Sequence, residues 1–189
     1  MEFKALFFEK PGDHTAEVFE VARRAMDAWR VRDVVVASTT GATAKAAADF
    51  FDLEGVNLVV VTHSFGFAKP GENEMGTRVR QDLEQRGVRV VTGTHALSGV
   101  DSALVKKLNL WSPVGLFQRA LRWVVCEGFK VCLEIVAMAV DAGAIAEGGP
   151  DVVAVAGTGR GADTACVLSP VGSRNFLDAR VKAVLAKPQ

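Results

Sequence analysis

Four hydroxyl side chains surround a glycine in the segment STTGAT, which follows a short apolar run and precedes an Ala-rich stretch. The residues are Ser38, Thr39, Thr40, Gly41 and Thr43. Small hydroxyls, a glycine and the free N–H groups of a helix N-terminus together suit the oxygens of a phosphate group. The same hydroxyls are equally suited to capping the helix, so the segment alone leaves both roles open.

Three other apolar runs end in similar residues, continuing as THSFG, TGTH and GTGRGADT. In an open parallel sheet the carboxyl ends of the strands lie along one edge, where ligands bind near a switch in strand order. We therefore expect all four segments to meet at one ligand site. The candidate residues from these three segments are His63, Phe65, Gly66, Gly93, Thr94, His95, Gly157, Thr158, Gly159, Arg160, Gly161, Ala162 and Asp163.

The segment GTGRGADT has the spacing G-x-G-x-x-A, which superficially matches a dinucleotide-binding fingerprint. That fingerprint requires a helix directly afterwards, whereas TACVL, which follows here, is typical of a strand. We therefore reject a Rossmann site. The glycines instead favour close approach to a flat or phosphorylated ligand, with Arg160 as the partner of an anion. Asp163 either accepts from a ligand hydroxyl or caps local N–H groups.

His63 and His95 both follow strand ends, yet no carboxylate or thiol at zinc-like spacing accompanies them. We therefore expect these histidines to form hydrogen bonds with a ligand, and we expect no metal site. Phe65 and Phe67 lie in a loop without periodicity. They either stack on a planar ring or anchor the loop on the core.

Glu134 interrupts the longest apolar stretch and is either exposed to solvent or a buried carboxylate that points to the site. It follows Lys130 by one helical turn, which favours a salt bridge between the two. Cys126, Cys132 and Cys166 match neither a zinc pattern nor a C-x-x-C redox motif, so we expect buried thiols.

The chain has 189 residues, with 22 basic and 22 acidic side chains, and this length suffices for one full core. The balanced charge gives no electrostatic reason to expect nucleic acid as a partner. The longest apolar stretch is too short to span a bilayer. Charges on both sides of the first short apolar run are unlike a secretory leader. We expect a single-domain, soluble cytoplasmic protein without a membrane partner.

The elements that position these residues alternate along the chain. Continuous apolar runs predict strands buried on both faces, and Ala-rich or amphipathic stretches predict helices. Strands are predicted at residues 33–37, 56–61, 88–91 and 152–156, and helices at residues 14–30, 43–51, 74–86, 101–108, 114–126 and 129–142. Residues 164–168 and 181–188 predict an antiparallel pair at the sheet edge. The pattern indicates an α/β fold with three layers and a mostly parallel sheet.

Longer blocks of the sequence resemble a known family. STTGATA after a strand, followed later by VVAVAGTGRGADTACVL, resembles the C-terminal α/β domain of pyruvate kinase. In that domain a Ser/Thr loop binds a phosphate of the sugar-bisphosphate activator. The blocks THSFGFAKPGENEM, GTHALSGV, KVCLEIVAMAVDAG and GTGRGADTA are similar to small stand-alone prokaryotic proteins labelled as pyruvate kinase α/β domain proteins. The likeness covers nearly the whole chain.

The resemblance implies a pyruvate kinase C-terminal type of fold and places a phosphate at STTGAT. Its closer relatives are similar to proteins seen with FMN, which implies FMN as the cofactor here. We do not expect pyruvate kinase activity, because the chain has no room for the catalytic barrel. A flavin-dependent activity stays unassigned. The alternatives are a sensor of a sugar phosphate or nucleotide that acts through a partner, and an enzyme that uses His63 or His95 as acid or base. The sequence also leaves open whether the chain forms a homo-oligomer.

Overall fold

A seven-stranded sheet forms the centre of the computed structural model, which describes residues 4–189. The strands follow the order β1-β7-β6-β5-β2-β3-β4 across the sheet. They are β1 Leu6–Phe8, β2 Asp33–Ala37, β3 Asn57–Val61, β4 Arg89–Val91, β5 Val152–Ala156, β6 Thr164–Leu168 and β7 Val181–Pro188.

Six α-helices of the described residues connect these strands. They are α1 Thr15–Trp29, α2 Ala42–Phe50, α3 Thr77–Gln85, α4 Val100–Leu108, α5 Pro113–Val124 and α6 Glu127–Asp141, and a 3-10 turn spans Ser173–Asp178. The predicted helix at residues 74–86 begins three residues late, at Thr77. Asn73 Oδ1 accepts the N–H of Met75 at 2.8 Å, which holds the preceding segment in a turn.

The strand pairing confirms an α/β fold with a mostly parallel sheet. β2 pairs in parallel with β3 and β5, β3 pairs in parallel with β4, and β6 is antiparallel to both β5 and β7. The antiparallel pair was predicted, but the short strand β1 was not. It pairs in parallel with β7, so β1 forms the outermost strand on that side. Its three residues are too few to show a periodic pattern.

Helices pack on both faces of the sheet. Val34 and Val36 belong to the core formed with α1 and α2, whereas Val35 belongs to the core formed with α6. The predicted burial of these strands on both faces is therefore confirmed. α6 lies against the sheet along most of its length, and this explains its long apolar sequence. None of the helices among residues 4–189 has the length and apolarity needed to cross a bilayer.

The strand order changes direction beside β2. The chain moves from β2 to β3 and β4 on one side, and β5 then returns to pair with the other side of β2. The segments that follow β2 and β5 therefore leave the sheet next to each other. Such a switch point is where open α/β sheets offer a crevice to a ligand.

Candidate functional site

Two adjoining cavities lie at the carboxyl edge of the sheet, and Ser38, Thr39 and His63 contribute to the walls of both. The first, of about 790 Å³, lies between the β2–α2 turn and the loop of residues 157–163, and we call it the glycine-loop cavity. The second, of about 630 Å³, extends past His63 and His95 to α4, α5 and α6, and we call it the histidine cavity. Each volume is in the range of small-molecule sites.

The β2–α2 turn divides its hydroxyls between two roles. Ser38 is buried, and its Oγ accepts the N–H of Ala44 at 3.1 Å, so it caps the first turn of α2. Thr40 and Thr43 line the glycine-loop cavity. The first hydrogen bond of α2 runs from the N–H of Lys45 to the carbonyl of Gly41. The N–H of Thr43 lies before this bond, and the N–H groups at a helix start have no partner within the helix and can bind other acceptors.

Gly41 has a structural role that differs from the predicted one. Its φ of +98° lies in the left-handed region, and an added Cβ would lie 2.4 Å from Cγ1 of Val79 on α3. Gly41 therefore allows α3 to pack against the turn, and it lies outside the cavity walls. The missing side chain of Gly41 thus makes room for α3, and not for a ligand.

The start of α1 holds the glycine loop in place. The Oγ1 of Thr15 accepts the N–H of Ala162 at 2.9 Å and donates to Oδ1 of Asp13 at 2.6 Å. The N–H of His14 donates to the carbonyl of Ala162 at 3.0 Å. Hydrogen bonds from the hydroxyl and N–H of Thr15 lower the pKa of Asp13. Asp13 and Thr15 line the cavity, and neither was among the candidate residues from the sequence.

Within the loop, Asp163 has the second of its two predicted roles. It is fully buried and accepts from the N–H of Thr158 at 3.1 Å and from the hydroxyl of Thr164 at 2.7 Å. It therefore caps local groups and does not reach the cavity. Thr158 Oγ1 is buried without a hydrogen-bond partner among residues 4–189. Gly159 lies on the cavity wall, and an added Cβ would meet no atom within 4 Å.

The two histidines form a ring cluster at the junction of the cavities. Nδ1 of His63 lies 2.8 Å from a carboxylate oxygen of Glu74, and its ring centroid lies 4.1 Å from that of Phe67 and 5.4 Å from that of His95. Nε2 of His95 accepts the N–H of Ser64 at 3.3 Å. Burial lowers the pKa of His95, although the nearby Glu134 opposes this shift. Above a pH of about 6.5 the neutral imidazole of His95 is therefore favoured, which fits the role of Nε2 as the acceptor from Ser64.

A buried ion pair forms part of the histidine cavity. Nζ of Lys130 lies 2.5 Å from Oε2 of Glu134, and both side chains are almost fully buried. Oε1 of Glu134 accepts the N–H of Leu97 at 3.0 Å. The predicted pairing of Lys130 with Glu134 is confirmed, and the alternative of a solvent-exposed Glu134 is wrong.

The loop after β3 exposes both of its phenylalanines, so the hypothesis that they anchor the loop on the core is wrong. Phe67 packs on His63 and lines the histidine cavity, whereas Phe65 lies outside the walls of both cavities. The candidates that lie outside the walls of both cavities are Gly41, Phe65, Gly66, Gly93, Thr94, Thr158, Ala162 and Asp163. Those on a wall are Ser38, Thr39, Thr40, Thr43, His63, His95, Gly157, Gly159, Arg160 and Gly161.

Charges are distributed unevenly between the cavities. Among the described residues, Arg160 supplies the positively charged side chain on the wall of the glycine-loop cavity. The same wall carries the carboxylates of Asp13, Glu74 and Glu127. The histidine cavity has cations from three helices, namely Lys106, Arg122 and Lys130. Glu127 and Glu134 also line it, and they form ion pairs with Arg122 and Lys130. Most of these residues could not be recognised from the sequence, because α4, α5 and α6 carry no motif that indicates which face meets the sheet edge.

The described residues contain no group of three or more His, Cys, Asp or Glu side chains that could hold a metal ion. Cys126, Cys132 and Cys166 are buried free thiols, as predicted, and burial raises the pKa of Cys132 well above its usual value. No protein-family model matches this chain.

Proposed function

We propose that this protein binds a phosphorylated planar cofactor, FMN, across the two adjoining cavities at the carboxyl edge of its sheet. The observation that carries the proposal is the junction of the cavities at Ser38, Thr39 and His63. On one side of this junction, the glycine-loop cavity offers groups that suit a phosphate. On the other side, the histidine cavity is bordered by aromatic rings. The pyruvate kinase C-terminal type of fold, which the sequence resembles, belongs to the same proposal.

The phosphate belongs at the β2–α2 turn. Thr40 and Thr43 offer hydroxyl groups, and the N-terminus of α2 offers free N–H groups and the positive end of its dipole. Arg160 supplies a guanidinium on the facing loop. Because Ser38 already caps α2, we assign it to the shape of the turn and leave ligand contact to the threonines.

The carboxylates on the glycine-loop cavity suit the middle of such a ligand. Asp13 and Glu127 would repel a phosphate, yet they are good acceptors for hydroxyl groups, and FMN has a ribityl chain with several hydroxyls.

The planar ring belongs in the histidine cavity. His63, Phe67 and His95 present aromatic surfaces there, and the buried ion pair of Lys130 and Glu134 lies on the same wall. A bound flavin would supply hydride or single-electron transfer. We assign no substrate and no reaction.

The first test is the absorbance of the purified protein, followed by titration of the apoprotein with FMN. We expect flavin bands that remain after gel filtration. Thr40→Glu should abolish binding, because a carboxylate would occupy the phosphate position. Thr77→Glu is the matched control, since Thr77 also begins a helix but lies outside both cavities. Equal FMN affinity in Thr40→Glu and Thr77→Glu would contradict the assignment of the phosphate site.

A second candidate is a sensor of a sugar phosphate or nucleotide. The carboxylates of Asp13 and Glu127 favour it, because sugar hydroxyls are equally good donors to them. A colourless protein whose melting temperature rises with sugar phosphates or nucleotides, but not with FMN, would support this candidate in place of the first.

A further inference from the structure

The helices α4 and α5 form an arm with an apolar outer surface. Every residue of both helices is at least partly exposed. On α4, Val100, Leu104 and Leu108 are spaced four residues apart and therefore form one stripe. On α5, Leu116 and Val124 are separated by eight residues and form a second stripe together with Trp123.

The turn between the helices extends this surface. Leu110 and Trp111 lie there and are exposed. Ser112 donates a hydrogen bond to Asp101 of α4 and accepts the N–H of Gly115 in α5 at 2.8 Å, so the two helices are joined as one unit. We call residues 100–124 the apolar arm.

The surface of the apolar arm is too large for a chain that stays alone. Eight of its large apolar side chains are between 47% and 82% exposed: Val100, Leu104, Leu108, Leu110, Trp111, Leu116, Trp123 and Val124. With about 150–250 Å² for a fully exposed tryptophan and less for a leucine or valine, these exposed fractions correspond to roughly 800 Å² of apolar surface, summed over both helices and their turn. The largest apolar patch on a typical monomer is about 300–600 Å². A standard protein interface covers about 800 Å² on each partner.

We propose that a second copy of this chain covers the apolar arm, with the two arms packed face to face as a four-helix layer. The area matches what one partner contributes to a stable dimer, and two stripes at helical spacing can interdigitate with an identical pair. Lys107 and Arg119 flank the stripes and are exposed, which fits the polar rim around an apolar interface core.

The dimer contact also stabilises the histidine cavity. Ser102 and Lys106 of α4 and Gln118 and Arg122 of α5 line that cavity, while the apolar stripes lie on other faces of the same helices. α4 has no buried residue, and α5 packs on α6 through partly buried side chains such as Leu121, so the second copy adds packing that fixes this wall. Ligand binding in the cavity is therefore coupled to dimer formation. This coupling rests on the proposed function, whereas the dimer itself does not.

Sedimentation equilibrium over a range of concentrations of the full chain tests the dimer without any ligand. We expect a dimer for the unmodified protein and monomers for Leu104→Glu and for Trp123→Glu. Phe7→Glu is the control, because Phe7 is an exposed apolar residue on β1, outside the apolar arm. Two positions are tested because either substitution alone could disturb its helix, and circular dichroism reports whether the fold is retained.

A monomer at every concentration would overturn the proposal, as would equal association in both arm variants and the unmodified protein. Flotation of a monomeric chain with vesicles of phosphatidylglycerol and phosphatidylcholine would assign the arm to a lipid surface instead. For the coupling, FMN affinity should fall by at least about fivefold in folded Trp123→Glu. Unchanged FMN affinity in that monomer would overturn the coupling alone. A dimer that binds no FMN would overturn the proposed function and leave the dimer intact.

Discussion

The buried pair of Lys130 and Glu134 makes a strong prediction about stability. The two side chains are 3% and 6% exposed, and their charged atoms are 2.5 Å apart. Removing one partner leaves the other charge buried without compensation, which costs about 3–5 kcal/mol in proteins. We therefore expect both Lys130→Met and Glu134→Gln to lower the free energy of unfolding by about this amount.

The double variant Lys130→Met/Glu134→Gln should be much more stable than the sum of its single changes predicts. It removes both charges, and the amide oxygen of glutamine still accepts the N–H of Leu97, which Glu134 binds at 3.0 Å. Replacement of a buried ion pair by neutral groups of similar volume is often close to neutral. We expect a total loss below about 2 kcal/mol, and hence a large coupling energy in the double-mutant cycle.

Urea unfolding measures these losses directly. With a denaturant slope of about 2 kcal/mol per molar, a loss of about 4 kcal/mol lowers the midpoint by about 2 M urea. Lys69→Met, which removes the exposed partner of Glu72, provides the surface comparison. Losses below about 1 kcal/mol in both single variants would refute the reasoning, because the pair would then behave as a solvated one. Additive losses in the cycle would refute it equally.

Three further predictions concern the turns and the histidine cavity. The pKa of His95 is lower in the folded protein than in the unfolded chain, so the unfolded chain takes up a proton at a higher pH. As the pH falls below about 6.5, the free energy of unfolding should therefore decrease by at most about 1.4 kcal/mol per pH unit. His95→Gln keeps an acceptor for Ser64 and should flatten this pH dependence in urea titrations. Gly41→Ala should lose roughly 2–4 kcal/mol through backbone strain and contact with Val79, whereas Gly87→Ala, also at positive φ but in open space, should lose only the strain. Gly159→Val should weaken FMN binding while Gly148→Val leaves it unchanged; equal titrations would remove the glycine loop from the site.

The strands that carry the site, and the polar residues that follow them, could be predicted because they depend on patterns of neighbouring residues in the sequence. VVVA and VVAVA lack a polar face, so each had to be a strand buried on both sides, and polar residues directly after them had to lie at a sheet edge. The Lys130 and Glu134 pair followed from helical spacing alone. In each case the relevant neighbours are within a few residues in the chain.

Other features depended on contacts between distant segments. Phe65 and Phe67 are equivalent in sequence, and only the path of the loop brings Phe67 against His63. The capping role of Asp163 follows from the path of its own loop, and the cavity position of Asp13 requires α1 to meet that loop.

What the chain determined by itself was the identity of the strands and the polar character of the residues that follow them. Tertiary structure alone decided which of those residues reach a cavity, that α4, α5 and α6 form the second cavity, and that the apolar arm lies exposed. The physical reason is that periodicity fixes which face of an element is apolar, whereas the partner of that face is set by packing between segments far apart in the chain.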